Sequence, residues 1–452
     1  IGQALGIPWG DVRVIKPYIG GGFGNKQDVL YEPLNAFLTT QVGGRPVKLD
    51  ISREETFCNT RTRHAIEFDL AAGVDKEGKL VAKDMHSYSN QGAYASHGHA
   101  IAANGLTSWR LQYACPNIRG EAYTIYTNTP VGGAMRGYGI PQVCFAIECF
   151  MDDVAEAIHM DPLEFRRKNL IEGYYEDRYL KPIAANTNGI FECLKKGAEY
   201  IHWDEKRKKY AKQTGAVRRG VGMALFSYKT GVWPISLEIA GARLSLNQDG
   251  SVQLQLGATE IGQGADTVFS QMVAETLHTD MAHVHIQTVQ DTDVSPFDTG
   301  AYASRQSFVT GTAVKHCAEI LRDKILAYAK TLLPEIDTRE LSLRDNWIWA
   351  DEEQVISLAA LAEESYYSLT NSSVLTAEVS EQVKKNTIAT GCCFAEVEVD
   401  IKLGKIKILH IINVHDSGKL LNPQLAEMQV HGGMSMGMGY GISEQLILDE
   451  KT

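Results

Sequence analysis

Glycine-rich loops are the feature of this sequence that most constrains its fold. The first loop, IGGGFGNKQD at 19–28, places four glycines around Phe23 and follows them with Asn25, Lys26 and Gln27. Glycine has no Cβ, so such a stretch lets the backbone approach another group closely. Further stretches are also rich in glycine and other small residues and nearly free of charge: VGGAMRGYGIPQ at 131–142, GATEIGQG at 257–264 and QVHGGMSMGMGYG at 429–441. DTGAYASRQS at 298–307 is a shorter relative.

Each loop combines glycine with side chains that donate hydrogen bonds, namely Lys26 and Gln27, Arg136, Gln263, Ser304 and Arg305, and Gln429. Brought together, such loops could hold an anionic cofactor with backbone N–H groups while an arginine and amides fix its orientation. The first loop lacks the phosphate-binding pattern G-x-x-x-x-G-K-[ST], because Gln27 follows Lys26. Plainer interpretations stay open for each loop taken alone: GGGFG as a tight turn, Arg136 as a carboxylate partner, Tyr138 as a core residue, and GMSMGMGYG as a closely packed helix.

Length and charge limit the classes of protein that fit. A chain of 452 residues exceeds one ordinary core, and a charged segment at 202–219 suggests two domains, 1–215 and 216–452. The net charge of -11 disfavours binding to nucleic acid or to an anionic membrane. No apolar run approaches the ~18 to 20 residues of a membrane span, and no secretory signal opens the chain. The eight cysteines form no C-x-x-C pair, which is typical of free thiols in the cytoplasm.

The apolar periodicity predicts an α+β fold in which helices and hairpins alternate. Helices are expected at 28–44, 142–160, from Pro162 onwards and at 265–277. A strand is expected at 45–53, where Val47, Leu49 and Ile51 alternate with polar residues. Hairpins are expected to turn at 75–78, 249–250 and 403–405.

Together the motifs resemble those of the molybdenum-binding subunit of the xanthine dehydrogenase family of molybdenum hydroxylases. The resemblance rests on GGGFGxK, AxRGxGxPQ, GxxExGQG, an Ala-Ser loop and a glycine-rich helix after Leu421-Asn422-Pro423, in that order along essentially all 452 residues. It implies a two-domain α+β portion of a xanthine dehydrogenase-like large subunit, with a molybdenum–molybdopterin cofactor whose cytosine dinucleotide form is left open.

The resemblance also implies the residues that hold this cofactor. Gly22 and Gly24 would let the backbone approach it, and Glu260 matches a structural position. The molybdenum-proximal positions are Phe23, Arg136 and Ala303, and the pterin-contacting amides are Gln263 and Gln429, with Ser304 nearby.

For the substrate, the resemblance implies a pocket built from Gln27, Asn104, Tyr138 and Trp233. Gln27 stands where xanthine-hydroxylating relatives have a glutamate, and Asn104 stands where purine-oxidising relatives often have an arginine. Tyr138 replaces a phenylalanine that packs on the substrate ring, and Trp233 is the candidate for a second aromatic side chain. Two neutral amides can bind a purine edge, but they discriminate charge states less well than an acid and a base.

The expected activity is oxidative hydroxylation of a purine (xanthine or hypoxanthine) or a related N-heterocycle, with water as the oxygen source. An aldehyde or other heteroaromatic oxidoreductase of the same family is one alternative, and a non-catalytic nucleotide-binding module is another. Pro141-Gln142 and the absence of a cysteine from AMRGYG argue against the carbon monoxide dehydrogenase branch.

The resemblance places some parts of the enzyme outside this sequence. The general-base glutamate is expected in a G-E-P motif beyond Thr452 and a further glutamine before Ile1, so the second domain is expected to be C-terminally incomplete. Iron–sulfur (2Fe-2S) and FAD centres are expected on partner subunits, because the chain has no motif for either. Dimerisation of the whole complex is also implied.

Overall fold

The computed structural model describes residues 1–172, 174–177, 181–184 and 189–449, which form two compact units interleaved along the chain. The first unit contains Ile1–Gly22, Glu32–Arg45 and Thr230–Asn386, and the second contains Phe23–Tyr31, Pro46–Lys229 and Thr387–Thr452. The chain therefore leaves the first unit inside the GGGFG loop. The division near residue 215 falls within the second unit, and it stays a prediction about independently folding domains.

Within the described ranges, the two units together contain twelve α-helices. Short 3₁₀ segments lie at Trp9–Asp11, Met281–His283 and Pro334–Ile336, and a π-helical turn at Gln306–Thr310. The helices are α1 Gly2–Leu5, α2 Glu32–Gln41, α3 Arg53–Asn59, α4 Gly98–Leu111, α5 Ile140–Ala157, α6 Pro162–Asn169, α7 Gly189–Ile201, α8 Trp203–Tyr210, α9 Ala265–Leu277, α10 Gly311–Leu332, α11 Leu358–Tyr367 and α12 Pro423–Ile442. None of the described helices combines the length and apolar character needed to cross a bilayer.

The strands of the described ranges form five small sheets, with orders β1-β2-β3, β4-β5, β15-β14-β6, β13-β7-β8-β9 and β10-β11-β12. The strands are β1 Ile66–Val74, β2 Leu80–Gly92, β3 Asn117–Tyr126, β4 Tyr174–Asp177, β5 Lys181–Ala184, β6 Val217–Thr230, β7 Ile239–Leu246, β8 Val252–Leu256, β9 Val284–Ile286, β10 Leu341–Arg344, β11 Trp347–Ala350, β12 Glu353–Ser357, β13 Thr376–Gln382, β14 Thr387–Asp400 and β15 Lys405–Asp416. Helices and strands thus mix in both units, and the α+β expectation is confirmed.

In the first unit, α9 and α10 pack with the sheet β13-β7-β8-β9. Strand β8 buries Val252, Leu254 and Leu256 at every second position, the period of a strand with one face on a core. These side chains join Phe269 of α9 and Leu321 of α10 in one apolar cluster. The loop at 257–264 connects β8 to α9, so this core fixes both of its ends.

In the second unit, a separate apolar core forms around α5 and α7. Helix α5 buries Val143, Ile147 and Met151 on one face, at the spacing of an amphipathic helix. Gly197 of α7 packs against β14, where an added Cβ would lie 2.3 Å from Cε2 of Phe394. The loop between β3 and α5 carries AMRGYG, so this core supports its C-terminal end.

Most of the expected elements are confirmed. The three hairpins form as β1–β2, β7–β8 and β14–β15, turning where the sequence predicts. Helix α9 has the predicted bounds, and α6 begins at Pro162 with the Asp161 carboxylate accepting from the Leu163 and Glu164 N–H groups. Helix α2 ends before Gly43 and Gly44, both left-handed.

The strand expected at 45–53 is wrong. The structure assigns no strand there, and α3 begins at Arg53. The side chains still alternate in exposure: Val47, Leu49 and Ile51 are half-buried, while Lys48 and Asp50 are exposed. Alternation shows which way side chains point, whereas a strand also needs a hydrogen-bonded neighbour.

Candidate functional site

In the first unit, the GGGFG loop lies beside the β8–α9 loop. The Gly21 N–H donates to the Ile261 carbonyl, with an N···O distance of 2.9 Å. An added Cβ on Gly22 would lie 3.2 Å from Cδ1 of Ile261. Gly21 has a φ of 87°, a conformation that glycine adopts at little cost. Part of the glycine content therefore serves contact between two loops of the protein.

The β8–α9 loop is held together by the Gln263 side chain. Its Oε1 accepts from the Ile261 N–H at 2.7 Å, and its Nε2 donates to the Thr259 carbonyl at 3.0 Å and to Oε1 of Gln306 at 2.5 Å. The amide therefore shapes its own loop. A direct cofactor contact by Gln263 stays a prediction.

Glu260 organises the same loop and the start of α9. Its carboxylate accepts from the N–H groups of Gly262 at 2.6 Å, Gly264 at 3.1 Å and Asp266 at 3.0 Å. Burial acts to raise the pKa of Glu260, but these donors and Lys16 hold that pKa below its ordinary value of 4.5. Glu260 is thus an ionised structural acceptor.

Asp266, in the first turn of α9, lies close enough to Glu260 for the negative charge of Glu260 to disfavour ionisation of the Asp266 carboxyl. Burial, and then the charge of Glu260, raise the pKa of Asp266 from 3.8 to about 6. A raised carboxyl pKa means that ionisation opposes folding; this cost is absent below pH ~4, grows between pH ~4 and ~6, and is complete above it. Asp266→Asn should therefore raise the free energy of unfolding by about 1 kcal/mol at pH 8, after allowance for partial solvent screening.

Urea unfolding of the wild type and of Asp266→Asn at pH 4.5 and pH 8 measures this difference. The gain should be full at pH 8 and only about a third as large at pH 4.5, because the lost stability develops between the unfolded and the folded pKa of Asp266. A gain that is equal at both pH values, or a loss at pH 8, would contradict the coupling between Asp266 and Glu260.

The Ala-Ser loop and the Trp233 turn also meet in the first unit. The Gly231 N–H donates to the Ala303 carbonyl at 3.0 Å, and the Asn386 amide donates to the Trp233 carbonyl at 2.6 Å. Ala303 and Ser304 have φ values of 49° and 54°. The first unit therefore brings together Trp233, Ala303 and Ser304.

Arg305 does not serve as an exposed donor, which corrects the interpretation of its loop. Its side chain is fully buried between Glu238 and Asp298, with Nε to Oε2 of Glu238 and Nη1 to Oδ1 of Asp298 both at 2.6 Å. Burial acts to lower the pKa of Arg305, but the two carboxylates more than offset this and the pKa is raised. Glu238 also accepts from the Val232 N–H at 2.6 Å. The buried cluster thereby links the Ala-Ser loop to the backbone of the Trp233 turn.

In the second unit, Phe23 and Gly24 form the other half of GGGFG. Phe23 is 53% exposed and has a φ of 54°. Gly24 has a φ of 103°, and an added Cβ would lie 2.9 Å from the carbonyl carbon of Ala134. This glycine is required for close approach to the AMRGYG loop.

Arg136 lies against α12, where it meets Gln429 as the sequence suggests. Its Nη2 donates to the Gln429 carbonyl at 2.8 Å and to Oε1 of Gln429 at 3.2 Å. Gly432 and Gly433 make room for the guanidinium, since added Cβ atoms would lie 3.3 Å from Nη1 and 3.7 Å from Nη2. Burial lowers the pKa of Arg136, and within the described ranges no carboxylate forms an ion pair with it. The carboxylate-partner interpretation is therefore not supported.

Arg63 supports this arrangement and was missed from the sequence. Its Nη2 donates to the Arg136 carbonyl at 2.7 Å, and its Nη1 donates to Oε1 of Gln142 at 3.1 Å. The same guanidinium lies over the Tyr440 ring of α12, 4.9 Å from the ring centroid. No glycine motif surrounds Arg63, so loop patterns gave no signal for it.

Asn104 and Tyr138 come together in the second unit. The Asn104 amide donates to the Tyr138 carbonyl at 2.9 Å, so one amide hydrogen positions the loop. The Gln27 N–H donates to the Gly24 carbonyl at 3.0 Å, and the Gln27 side chain is half-buried. Gln27 is followed in sequence by Asp28. Hydrogen bonds connect Asp28 to His97 and His97 to Tyr138.

Four candidate residues other than glycine have left-handed backbones. The φ values are 54° at Phe23, 51° at Tyr138, 49° at Ala303 and 54° at Ser304. A side chain in this region costs on the order of 1 kcal/mol, and such strain clusters at functional sites. Their coincidence with residues selected by sequence motifs favours a functional explanation of these loops.

The loops of the second unit fit an anionic organic cofactor. The half-buried Arg136 guanidinium has no carboxylate partner among the described residues. It lies beside two helix glycines whose missing side chains leave space around it. Charge-assisted hydrogen bonds from such a group are well suited to phosphate or a similar oxyanion. Arg136 and Gln429 are therefore the residues best placed to hold one.

Comparison with known proteins agrees with this chemistry. Family models described as "Molybdopterin cofactor-binding domain" match residues 1–170 and 196–452. The chain is 48% identical over 455 residues to the xanthine dehydrogenase molybdenum-binding subunit of Escherichia coli O157:H7, covering 100% of this chain and 60% of that protein. It is 28% identical over 463 residues to the aldehyde oxidoreductase molybdenum-binding subunit PaoC of Escherichia coli K12, covering 100% of this chain and 58% of PaoC.

Among solved structures, the chain is similar to quinoline 2-oxidoreductase from Pseudomonas putida 86. The TM-score is 0.89 with 22% identity, and the match covers 99% of this chain and 59% of that one. At this identity the likeness shows the fold alone. The chain spans about three-fifths of the length of each of these relatives.

Proposed function

Because this chain belongs to the family of molybdopterin cofactor-binding domains, we propose that it holds the molybdenum cofactor of an enzyme that hydroxylates a purine or related N-heterocycle. The observation that supports this most directly is the half-buried Arg136 guanidinium, which faces α12 without an acidic partner in the described ranges. A family match indicates the class of ligand, and Arg136 supplies a charge that such a ligand would complement.

The cofactor would be held by residues of both sequence halves. Arg136 and Gln429 would bind it by charge-assisted and amide hydrogen bonds. The backbone at Gly22, Phe23 and Gly24 would approach it, and Ala303, Ser304 and Gln263 are the other proposed contacts. Phe23, Arg136 and Ala303 are the proposed molybdenum-proximal residues. When bound, a molybdenum–molybdopterin group supplies two-electron oxidation with water as the oxygen source.

The substrate would be oriented by Gln27, Asn104, Tyr138 and Trp233. One Asn104 amide hydrogen already holds the Tyr138 carbonyl, so its Oδ1 and second hydrogen are what it offers to a ligand. Within the described ranges, no side-chain hydrogen bond ties Gln27 to another loop. Gln27 is therefore the more direct candidate for binding the edge of a heterocycle. The pair of amides would bind neutral ring edges, in keeping with a purine or another N-heterocycle.

The overall reaction would replace a C–H bond of the substrate by C–OH, consuming one water and releasing two electrons and two protons. These electrons would leave through iron–sulfur and FAD subunits, and the whole complex would dimerise in the cytoplasm. The general-base glutamate is proposed to lie outside residues 1–452. Whether the cofactor carries a cytosine dinucleotide is part of the same proposal.

Aldehyde oxidation is the second candidate. It is favoured by the similarity to the aldehyde oxidoreductase subunit PaoC and by the absence of a charged pair at Gln27 and Asn104. The alternative of a non-catalytic nucleotide-binding module gains no support from the family match. Turnover of hypoxanthine or xanthine against turnover of benzaldehyde separates the two enzymatic candidates.

Gln27→Ala tests the proposed substrate pocket in the full-length enzyme purified with its partner subunits. Loss of a buried polar contact should lower kcat/KM for the heterocycle by about 5–150-fold, or about 1–3 kcal/mol, without lowering molybdenum content. Gln41→Ala, at an exposed position of α2, is the matched control and should leave both quantities unchanged. If kcat/KM for every heterocycle survives Gln27→Ala, the substrate assignment of Gln27 is wrong.

A further inference from the structure

Three side chains of the second unit form a hydrogen-bonded chain that begins at Tyr138. The phenol oxygen of Tyr138 lies 2.7 Å from Nδ1 of His97, and Nε2 of His97 lies 2.7 Å from Oδ1 of Asp28. The two rings meet edge to face, with centroids 5.6 Å apart. His97 precedes α4 as its N-cap residue, but its side chain does not cap the helix. Both ring nitrogens are therefore committed to Tyr138 and Asp28.

Asp28 determines which nitrogen of His97 carries the hydrogen. Its Oδ2 accepts from Oγ of Ser96 at 2.5 Å and from Nε of Arg61 at 2.6 Å, which leaves Oδ1 for His97. Burial acts to raise the pKa of Asp28, but the hydrogen bonds from Ser96 and Arg61 and the charge of Arg61 hold that pKa below its ordinary value of 3.8. An ionised carboxylate can only accept, so Nε2 of His97 donates to Asp28. With its single hydrogen on Nε2, the imidazole form of His97 presents Nδ1 to Tyr138 as an acceptor.

The Tyr138 phenol is consequently the donor in its bond to His97. Burial, followed by the charge of Asp28 and by Tyr228, raises the pKa of Tyr138 to about 12, so the phenol keeps its proton at neutral pH. A phenol has one hydrogen, and here His97 takes it. The remaining capacity of the oxygen is its lone pairs, which can only accept.

We propose that His97 and Asp28 are positioning residues that make the Tyr138 hydroxyl a hydrogen-bond acceptor for a ring N–H or an exocyclic amino group of the substrate. This inference rests on the proposed function, because it requires Tyr138 to line the substrate pocket. It also narrows the substrate class, since a heterocycle with a hydrogen on the nitrogen facing Tyr138 is accepted and its N-methylated analogue is not. The left-handed backbone of Tyr138 and the Asn104 bond to its carbonyl hold the ring in place for this contact.

The test compares kcat/KM of the holoenzyme for an N–H heterocycle, such as hypoxanthine, with kcat/KM for its singly N-methylated analogues. Tyr138→Phe removes the acceptor and should lower kcat/KM for the N–H substrate by about tenfold or more, so that the preference over the discriminated N-methyl analogue falls toward one. A general loss of packing would lower turnover of both substrates together, without changing their ratio.

Two substitutions of His97 separate its two hydrogen bonds. His97→Asn places an amide oxygen near the former Nδ1, where it still accepts from the phenol, whereas His97→Gln places an amide nitrogen near the former Nε2 and keeps only the bond to Asp28. The N–H preference should be larger in His97→Asn than in His97→Gln. Molybdenum content, equal in all variants, shows that the cofactor site is intact.

Failure of the proposed function and failure of this inference give different results. If the wild-type holoenzyme oxidises benzaldehyde and no heterocycle, the proposed function fails and the inference fails with it. If heterocycles are oxidised and the N–H to N-methyl ratio is the same in the wild type and Tyr138→Phe, the inference alone is overturned. Should the His97 variants not accumulate as folded protein, Tyr138→Phe still decides, because it preserves the ring.

Discussion

Replacing Arg136 with methionine in the full-length protein should lower its molybdenum and pterin content by about tenfold or more. Removing a desolvated charged partner typically costs about 2–5 kcal/mol, and each 1.4 kcal/mol is a factor of about ten in binding. The guanidinium is half-buried against α12, with Gln429 as its hydrogen-bonding partner on that helix. Methionine keeps the stem and removes the charge, so the effect should fall on the cofactor more than on the fold.

Two further variants make this prediction specific. Arg136→Lys keeps a positive charge but loses the planar fork of donors, and an intermediate cofactor content is expected. Arg119→Met removes an exposed arginine of β3 that pairs with Glu121, and it should leave the content unchanged. Normal molybdenum content in Arg136→Met would show that Arg136 does not hold the cofactor.

Replacing Arg305 with methionine should lower the free energy of unfolding by about 3–5 kcal/mol at neutral pH. The substitution leaves Glu238 and Asp298, whose side chains are both fully buried, without their cation. Breaking a buried ion pair on one side leaves an uncompensated charge, which accounts for the size of the loss. The Trp233 turn and the Ala-Ser loop depend on the same cluster, so cofactor content should fall as well.

Chemical denaturation against a matched arginine measures this loss. Arg243→Met breaks an exposed pair with Glu378 in the same unit and should cost no more than about 1 kcal/mol. Adding Glu238→Gln and Asp298→Asn to Arg305→Met should recover part of the stability, because the buried charges are then neutralised. A loss below 1 kcal/mol for Arg305→Met alone would contradict the interpretation of the buried cluster.

The secondary structure was largely predictable, because its signals are local. The hairpins turn at Asp75–Gly78 and Asp249–Gly250 as their turn residues indicate, and α9 follows from apolar spacing alone. The strand expected at 45–53 failed because pairing depends on a neighbour that local alternation does not reveal. Shifts in composition along the sequence likewise did not predict that the two compact units interleave along the chain.

Sequence motifs selected candidate residues, some of which contact one another in the structure, but the motifs did not indicate most of the contacts that these residues make. Motifs selected Arg136 and Gln429, which lie 293 positions apart and share hydrogen bonds in the structure. Motifs could not show that Gln263 is engaged by its own loop, since the same glutamine could equally have faced outward. Nor could they identify His97, whose partners Asp28 and Tyr138 lie 69 and 41 positions away in sequence.

Charged side chains were the hardest to interpret from sequence. Arg136 and Arg305 both lie in glycine-rich loops. Within the described part of the chain, however, Arg136 has no carboxylate partner, whereas Arg305 pairs with two carboxylates. The difference is set by Glu238 and Asp298, which tertiary packing brings to Arg305. An arginine in a glycine-rich loop therefore indicates a ligand only when its carboxylate partners are known.

If these loops hold a molybdenum–molybdopterin cofactor, the full-length protein should contain both molybdenum and pterin. The protein should be purified with its partner subunits from cells able to make the cofactor. Near one molybdenum and one pterin per chain is the expected result. Folded protein free of both would contradict the claim and would mean that Arg136 and the glycine-rich loops bind something else.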